Sequence, residues 1–379
     1  MSDVYRRTGP WCQVYLDVSV DTGDPPSVIE ERRISVVDRL RAQNASDADV
    51  DAVVDAMATL RGEGGEHCLY LLVNGGEIVV EELLPGRAVE PESVVVGPVP
   101  DLVPLFEHRP PEIRCLVVET GRDGGEITLY RLGASAPEQR EAHQGRTDTL
   151  KKVQAGGWRH DRFQNHAEEI WRQTQAELAE MVDRIVRERR PSLLVVSGDV
   201  RARQLLEQEL AEESRRLLSV LPVDTRSEGS NPAALDEHIE HEIARLLAER
   251  KDEAADLIAL HAGRGDNEVE TTVGGVVHAL ASAQVDTLLL DTDRLRDREL
   301  LALAAEPWLA ASPEEALGAE VLASVPAPVA LVRAAVLTDA SVLFTDSRRV
   351  PDDVDLVEPP TGSGVAALLR WPTGPAVPR

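Results

Sequence analysis

Polar and apolar residues alternate through "WCQVYLDVSV" (11–20), which predicts a strand, and a polar "DTGDPP" loop (21–26) follows it. From about Ile34 to Leu60 the spacing becomes helical, with Val36, Val37, Leu40, Val50, Val53, Val54 and Met57 on one side. "NASDAD" (44–49) divides that stretch into two helices, with Ser46 or Asp47 as cap of the second. A hairpin follows, "CLYLLV" (68–73), "NGGE" and "IVVEEL" (78–83), and then a proline-rich stretch to Pro111 that reads as a domain edge.

The pattern restarts with a second hairpin, "CLVVET" (115–120), "GRDGG" and "EITLYRL" (126–132). Residues 133–157 have no apolar period and read as one long loop, a length usually reserved for function or disorder. A helix is expected from about Asp161 to Arg190, striped by Phe163, Ile170, Trp171, Leu178, Met181, Val182 and Ile185. "LLVVSG" (193–198) reads as a buried strand, and a helix runs from Asp199 towards Leu218. After "SEGSNP" (227–232) a long helix covers about 234–260. The remainder reads as helix 272–284, strand 285–291, helix 296–305, a helix ending near Ser324, strand 329–337, a short strand 341–345 and the closing "GSGVAALLRW" (362–371). The expectation is a mixed α/β (α+β) protein of three domains, 1–110, 111–232 and 233–379, with a mixed sheet in the middle one.

Composition narrows the function. Acidic residues outnumber basic ones 67 to 40, a formal charge of −27, which argues against a generic nucleic-acid coat and leaves a locally gathered basic patch open. Thirty-seven of the 40 cations are arginine, and two of the three lysines, Lys151 and Lys152, are adjacent. No signal peptide or membrane-length apolar run is read, and Cys12, Cys68 and Cys115 form no CxxC, so a reduced, cytoplasmic protein with buried thiols is expected. His238 and Glu242 sit one turn apart in "DEHIEHE" without the HExxH order, and read as a solvated helix face. Neither a P-loop nor a placed GxGxxG occurs, so no nucleotide cofactor and no metal are expected.

The chemistry-bearing stretch is 146–163. Arg146, Lys151, Lys152, Arg159 and Arg162 face only Asp148 and Asp161 in sequence, beside Gly156 and Gly157, which free the backbone for close approach. Trp158 can stack on a base, and Arg159 and His160 can reach phosphates. The plain alternative is a surface loop whose glycines only permit a turn.

"GGWRHDRF" (156–163) is similar to the loop and helix entry of the archaeo-eukaryotic peptide-chain release factor and Pelota superfamily. There a hairpin precedes a Gly-Gly-Gln loop and a Ser-x-x-Arg-Phe-like helix start. "PSLLVVSGDVRARQLL" (191–206), "VVHALASAQVDTLLLD" (276–291) and "GSGVAALLRW" (362–371) resemble the family's later signatures in the same order, so the resemblance runs from about Ile113 to the end. It implies a release-factor-like middle domain and an L7Ae-like C-terminal domain, which in relatives contacts a translational GTPase. "VYLDVSV" (14–20) resembles bacterial members, and neither a NIKS-like nor a YxCxxxF-like decoding motif is read. The family's catalytic glutamine position holds Trp158, whose indole has one donor and no acceptor. In lacking that glutamine the loop resembles Pelota and the bacterial hibernation factor Balon.

The resemblance therefore implies a monomeric, ribosome-binding protein acting in hibernation or protection under stress. It would occupy the A site without reading a codon, touching 16S and 23S rRNA and a P-site tRNA, with elongation factor Tu as GTPase partner and no membrane contact. The alternatives are a rescue factor hydrolysing peptidyl-tRNA with Gln154, Gln164 or His160, a tRNA-cleaving enzyme, and an adaptor that never meets the ribosome.

Overall fold

The computed structural model describes residues 2–19, 27–59, 66–86, 88–108, 113–131, 137–145, 160–223, 233–265, 267–345 and 362–372. It divides into two compact units, one formed by residues 1–110 together with 249–379, the other by residues 111–248.

The first segment contains α1 (Ser2–Arg6), β1 (Trp11–Asp17), α2 (Ser27–Ala42), α3 (Asp47–Thr59), β2 (His67–Asn74), β3 (Glu77–Pro85), β4 (Ser93–Gly97) and α4 (Val103–His108). The expected helices and hairpin are present. β4 and α4 arise inside the proline-rich stretch, where Val94 and Phe106 are buried. Its sheet has the order β3-β2-β1-β4, with β1 antiparallel to both neighbours. The period of two sends Cys12, Val14 and Leu16 into a core with Val36, Leu40, Val53 and Met57 of α2 and α3. Trp11 and Tyr15 enter a different cluster, which also holds Val276, Leu280, Leu288, Leu331 and Val365 from the last third of the chain. Residues 1–110 and 249–379 thus share one core.

The middle unit contains β5 (Arg114–Gly121), β6 (Gly124–Arg131), β7 (Gln139–Gln144), α5 (His160–Arg189), β8 (Leu193–Gly198), α6 (Val200–Glu209), α7 (Glu212–Arg216), β9 (Leu218–Val220) and the first half of α8 (Ala233–Arg264). The sheet order is β7-β6-β5-β8-β9, antiparallel through β7, β6 and β5 and parallel from β5 to β9. Even-numbered Leu116, Val118, Leu194 and Val196 pack on Leu178, Val182 and Ile185 of α5 and on Leu206 of α6. Odd-numbered Cys115, Val117, Leu193 and Val195 face Ile243, with Leu235, Ile239 and Leu247 of α8 packed beside them. Two expectations change here. The polar run after 132 contains β7, an edge strand with no apolar period whose backbone pairs with β6 from Gly124 to Leu129. The helix after Asp199 ends at Glu209, and α7 and β9 take up its remainder.

From Glu249 the other unit resumes. The rest of α8 is followed by β10 (Val269–Glu270), α9 (Val273–Ala281), β11 (Val285–Leu290), α10 (Thr292–Leu295), β12 (Glu299–Leu303), β13 (Leu309–Ala310), a 3-10 turn (Pro313–Ala316), β14 (Val321–Pro326), α11 (Ala327–Leu337), β15 (Ser341–Phe344) and β16 (Val365–Leu369). Two sheets form, of orders β10-β16-β11-β15 and β13-β12-β14. Three expectations are overturned. Residues 299–303 form β12 rather than a helix, because pairing with β13 and β14 outweighs the helix preference of Leu, Ala and Glu. The helix placed before Ser324 is strand β14. The strand placed at 329–337 is helix α11, begun by Pro328 in its first turn and buried from Ala327 to Ala335. With Arg333 as its one charged residue, the run has no polar face to reveal its period.

Candidate functional site

Arg146, Lys151, Lys152, Gly156, Gly157, Trp158 and Arg159 lie outside the described residues. His160 and Arg162 belong to the first turn of α5. The structure describes the base from which the loop leaves and to which it returns.

The outgoing end is Gly145, which follows β7 and donates its N–H to Asp123 O at 2.9 Å, in the β5–β6 turn. A Cβ at Gly145 would run into the Thr174 side chain of α5, so only glycine lets the strand end pass this close to the helix. Thr174 itself is buried, its hydroxyl donating to Ile170 O at 2.9 Å. Next along α5, fully buried Gln175 receives the Thr120 hydroxyl at 2.8 Å and donates to Gly121 O at 2.9 Å. One amide side chain thereby ties the middle of α5 to the end of β5, and both partners are satisfied, as buried polar groups require.

A second tie runs to α6. Asp199 caps that helix, its Oδ1 accepting from the Arg201 and Ala202 N–H groups at 3.0 and 3.1 Å. Its Oδ2 accepts from Arg122 Nε at 3.1 Å, and the Arg122 guanidinium lies 5.0 Å from the Trp171 ring centroid. Gly198, at φ 119°, brings the chain to this cap, and a Cβ there would strike Thr120 O. Behind it, nearly buried Arg203 donates to Gly198 O at 3.0 Å and Leu221 O at 2.9 Å. Arg201 pairs with Glu168, and Arg172 with Glu169 at 2.7 Å and Glu209 at 3.6 Å. The cations of this base are each committed to carboxylates or carbonyls. It is a scaffold that holds β5, α5 and α6 together beside Gly145, without a nucleophile–base pair among these residues.

The other candidates resolve simply. The His238 ring nitrogen is 2.9 Å from the Ser219 hydroxyl, and Arg245 holds Glu242 at 2.8 Å, keeping its carboxyl below the usual range. No group of three or more His, Cys, Asp or Glu among the described residues is arranged to hold a metal ion. Burial pushes the Cys12 thiol up to about 12, Cys68 to about 11 and Cys115 to about 12, so all three stay protonated and weakly reactive at neutral pH. No helix among the described residues is long and apolar enough to cross a membrane.

The sequence pattern marks the loop and leaves its base unmarked. By spacing alone Trp171 is one more core residue of the helix stripe, yet it is only partly buried and meets Arg122. The visible signal is the pair Trp171 and Gln175, one turn apart on the expected helix.

Residues 114–264 match the model of bacterial archaeo-eukaryotic release factor family 2, a span that contains the loop and its whole base. Two sequences of Mycobacterium tuberculosis, Rv2629 of strain H37Rv and MT2704 of strain CDC 1551, are each 27% identical over 369 residues, covering 96% of this chain and 94% of theirs. Among solved structures, the archaeal translation termination factor aRF1 aligns over 98% of this chain and 95% of its own at 15% identity, with a TM-score of 0.24. Archaeal Pelota, from a model of its ribosome-bound complex with ABCE1, aligns over 98% and 93% at 13% identity, with a TM-score of 0.38. Over residues 114–264 the chain is similar to the bacterial archaeo-eukaryotic release factors of family 2.

Proposed function

We propose that the protein is a cytoplasmic, ribosome-associated factor that occupies the A site without reading a codon and protects idle ribosomes under stress. The observation that carries this reading is the sequence of the loop inside the release-factor-like segment: its Gly-Gly and its cations are kept, and Trp158 stands where the family's glutamine would be. Arg146, Lys151, Lys152, Arg159 and Arg162 contact rRNA or P-site tRNA phosphates, with Trp158 stacked and His160 within reach of phosphate. Gly156 and Gly157 let the tip approach the peptidyl-transferase centre. The C-terminal segment serves as an L7Ae-like domain for a delivering GTPase, elongation factor Tu. The rest of the acidic surface repels RNA, which confines contact to the loop. The factor acts as a monomer.

The test is co-sedimentation with bacterial ribosomes. Lys151→Glu combined with Lys152→Glu reverses two charges at the loop, and binding is expected to fall on the order of tenfold or more at moderate salt. Unchanged co-sedimentation overturns the assignment of this loop. A second reading, peptidyl-tRNA hydrolysis by a non-standard loop, is favoured only by Gln154 and Gln164 flanking the glycines. It requires peptide release from stalled ribosomes that is lost in Gln154→Ala or Gln164→Ala.

A further inference from the structure

Arg333 stands in the middle of α11 with apolar residues on either side, and it is 2% exposed. Burial lowers its pKa, and no carboxylate among the described residues pairs with it. Its Nη1 donates to Trp308 O at 3.0 Å, using one of five N–H donors. The guanidinium lies near two aromatic rings, 5.8 Å from the Trp308 centroid and 6.0 Å from that of Tyr5. A buried charge without a counter-charge is costly, and Arg333 is not isolated from solvent space: it lines a cavity of about 690 Å³. Arg6 and Arg7 also line this cavity, against the single acid Glu320, which is exposed. Arg7 is paired with Glu77 at 3.2 Å, and the rest of the lining is largely apolar, with Pro10, Pro98, Val96 and Leu322 among it. In a chain of charge −27 this concavity is locally basic and mostly apolar, and its size is that of a small-molecule site.

We propose that this cavity, far in sequence from the loop and independent of its role, binds a small organic anion: a phosphate or carboxylate on a flat, apolar body. The anionic group takes the remaining donors of Arg333 in the two-pronged manner that guanidinium favours, and the flat body lies on the apolar lining beside Tyr5 and Trp308. Support for the Trp308 backbone, which sits at φ 69°, accounts for one of the donors of Arg333 and leaves the others unexplained.

Calorimetric titration of the full chain tests this with AMP, phenyl phosphate and indole-3-carboxylate, and with inorganic phosphate and adenosine as the separate halves. Saturable binding is expected for at least one of the three organic anions, tighter than for either half by on the order of tenfold. A preference for AMP and phenyl phosphate identifies a phosphate ligand, and a preference for indole-3-carboxylate identifies a carboxylate. Arg333→Gln should remove binding. Ala304 lines the cavity at an exposed position, so Ala304→Trp adds bulk against it and should do the same in a folded protein. If Arg333→Gln fails to fold, Ala304→Trp alone decides. The proposal is overturned if none of the three anions binds saturably at millimolar concentration, or if a folded Ala304→Trp binds as well as the unaltered chain.

Discussion

Asp101 shows how much a single residue can carry that no sequence pattern marks. It lies within the proline-rich stretch, between β4 and α4, where a turn would normally be solvated. Instead its backbone is gripped from both sides: Tyr70 donates to its carbonyl at 2.6 Å, and its N–H donates to Gln13 Oε1 at 2.9 Å. The carboxylate accepts the Val103 N–H at 2.9 Å. Burial pushes its pKa from 3.8 up to about 6, with Glu90 adding to the rise and the Val103 and Gln13 hydrogen bonds opposing it. The unfolded chain releases this proton near the ordinary value, so between roughly pH 4 and pH 6 the native state holds a proton that the unfolded state has lost. Stability from this group is therefore full at low pH, falls through that window, and is level above it. A tenfold difference in proton affinity between the two states corresponds to about 1.4 kcal/mol. Asn at 101 can still accept from Val103 and has no proton to lose. Asp101→Asn is expected to raise the melting temperature at about pH 7.5 more than at about pH 5. Melting curves at the two pH values check this, and an equal effect at both removes the assignment. Trp171 makes the same point about legibility. Its helical spacing announces burial, while its contact with Arg122 depends on the turn of another hairpin, which no local pattern encodes.

At the scale of elements, amphipathic segments and the short buried strand β8 were legible, and the buried helix α11 and the edge strand β7 were not. α5 was visible because Leu178, Val182 and Ile185 recur on one face opposite charged residues. α11 was hidden because burial on all sides erased its period, and β7 because an edge strand needs only its backbone. β12 was hidden because helix formers were drawn into a sheet by their partners. The junction of β7 with α5 is a second element-scale feature that escaped the sequence. Gly145 sits where strand and helix nearly touch, in an ordinary backbone conformation, so its need for glycine comes from the Thr174 side chain alone. Gly145→Ala is expected to cost about 1–3 kcal/mol, the usual penalty of overpacking. Thr174→Ala should recover part of that loss in the double variant, since it removes the hydroxyl and methyl that the new Cβ meets. Denaturant unfolding of the two single variants and the double variant measures the coupling. Strictly additive losses would show that the helix and the strand end do not oppose each other there. The same variants bear on the loop, because displacing Gly145 shifts one of its two anchors.

For the whole molecule, turn signals divide the chain at 110 and 232, and packing divides it differently. One unit takes residues 1–110 with 249–379, and the other takes 111–248. The edge at "SEGSNP" precedes α8, yet Ile243 together with Leu235, Ile239 and Leu247 closes one face of the middle sheet over Cys115, Val117, Leu193 and Val195. A helix that serves two cores carries no composition change at the point where it passes from one to the other, so the sequence could not place the boundary at Ala248. Residues 1–110 likewise look self-sufficient in sequence, with a sheet and two covering helices. Their second sheet face, with Trp11, Tyr15, Tyr70 and Leu72, belongs to a core completed by Val276, Leu280, Leu331 and Val365. Fragment behaviour follows from this. A fragment of residues 111–248 keeps both faces of its sheet covered and should unfold cooperatively. Ending it at 232 uncovers the face under α8, and each large side chain left without its cover forfeits about 1.5–3 kcal/mol. The shorter fragment is therefore expected to melt broadly and to bind a hydrophobic dye. A fragment of residues 1–110 should do the same and gain cooperative folding only when residues 249–379 are supplied with it. Circular dichroism melts of the three fragments and of the mixture separate these outcomes. Sharp, equal transitions for 111–232 and 111–248 would mean that α8 contributes nothing to the middle unit, and a cooperative transition for 1–110 alone would mean that the shared core is dispensable.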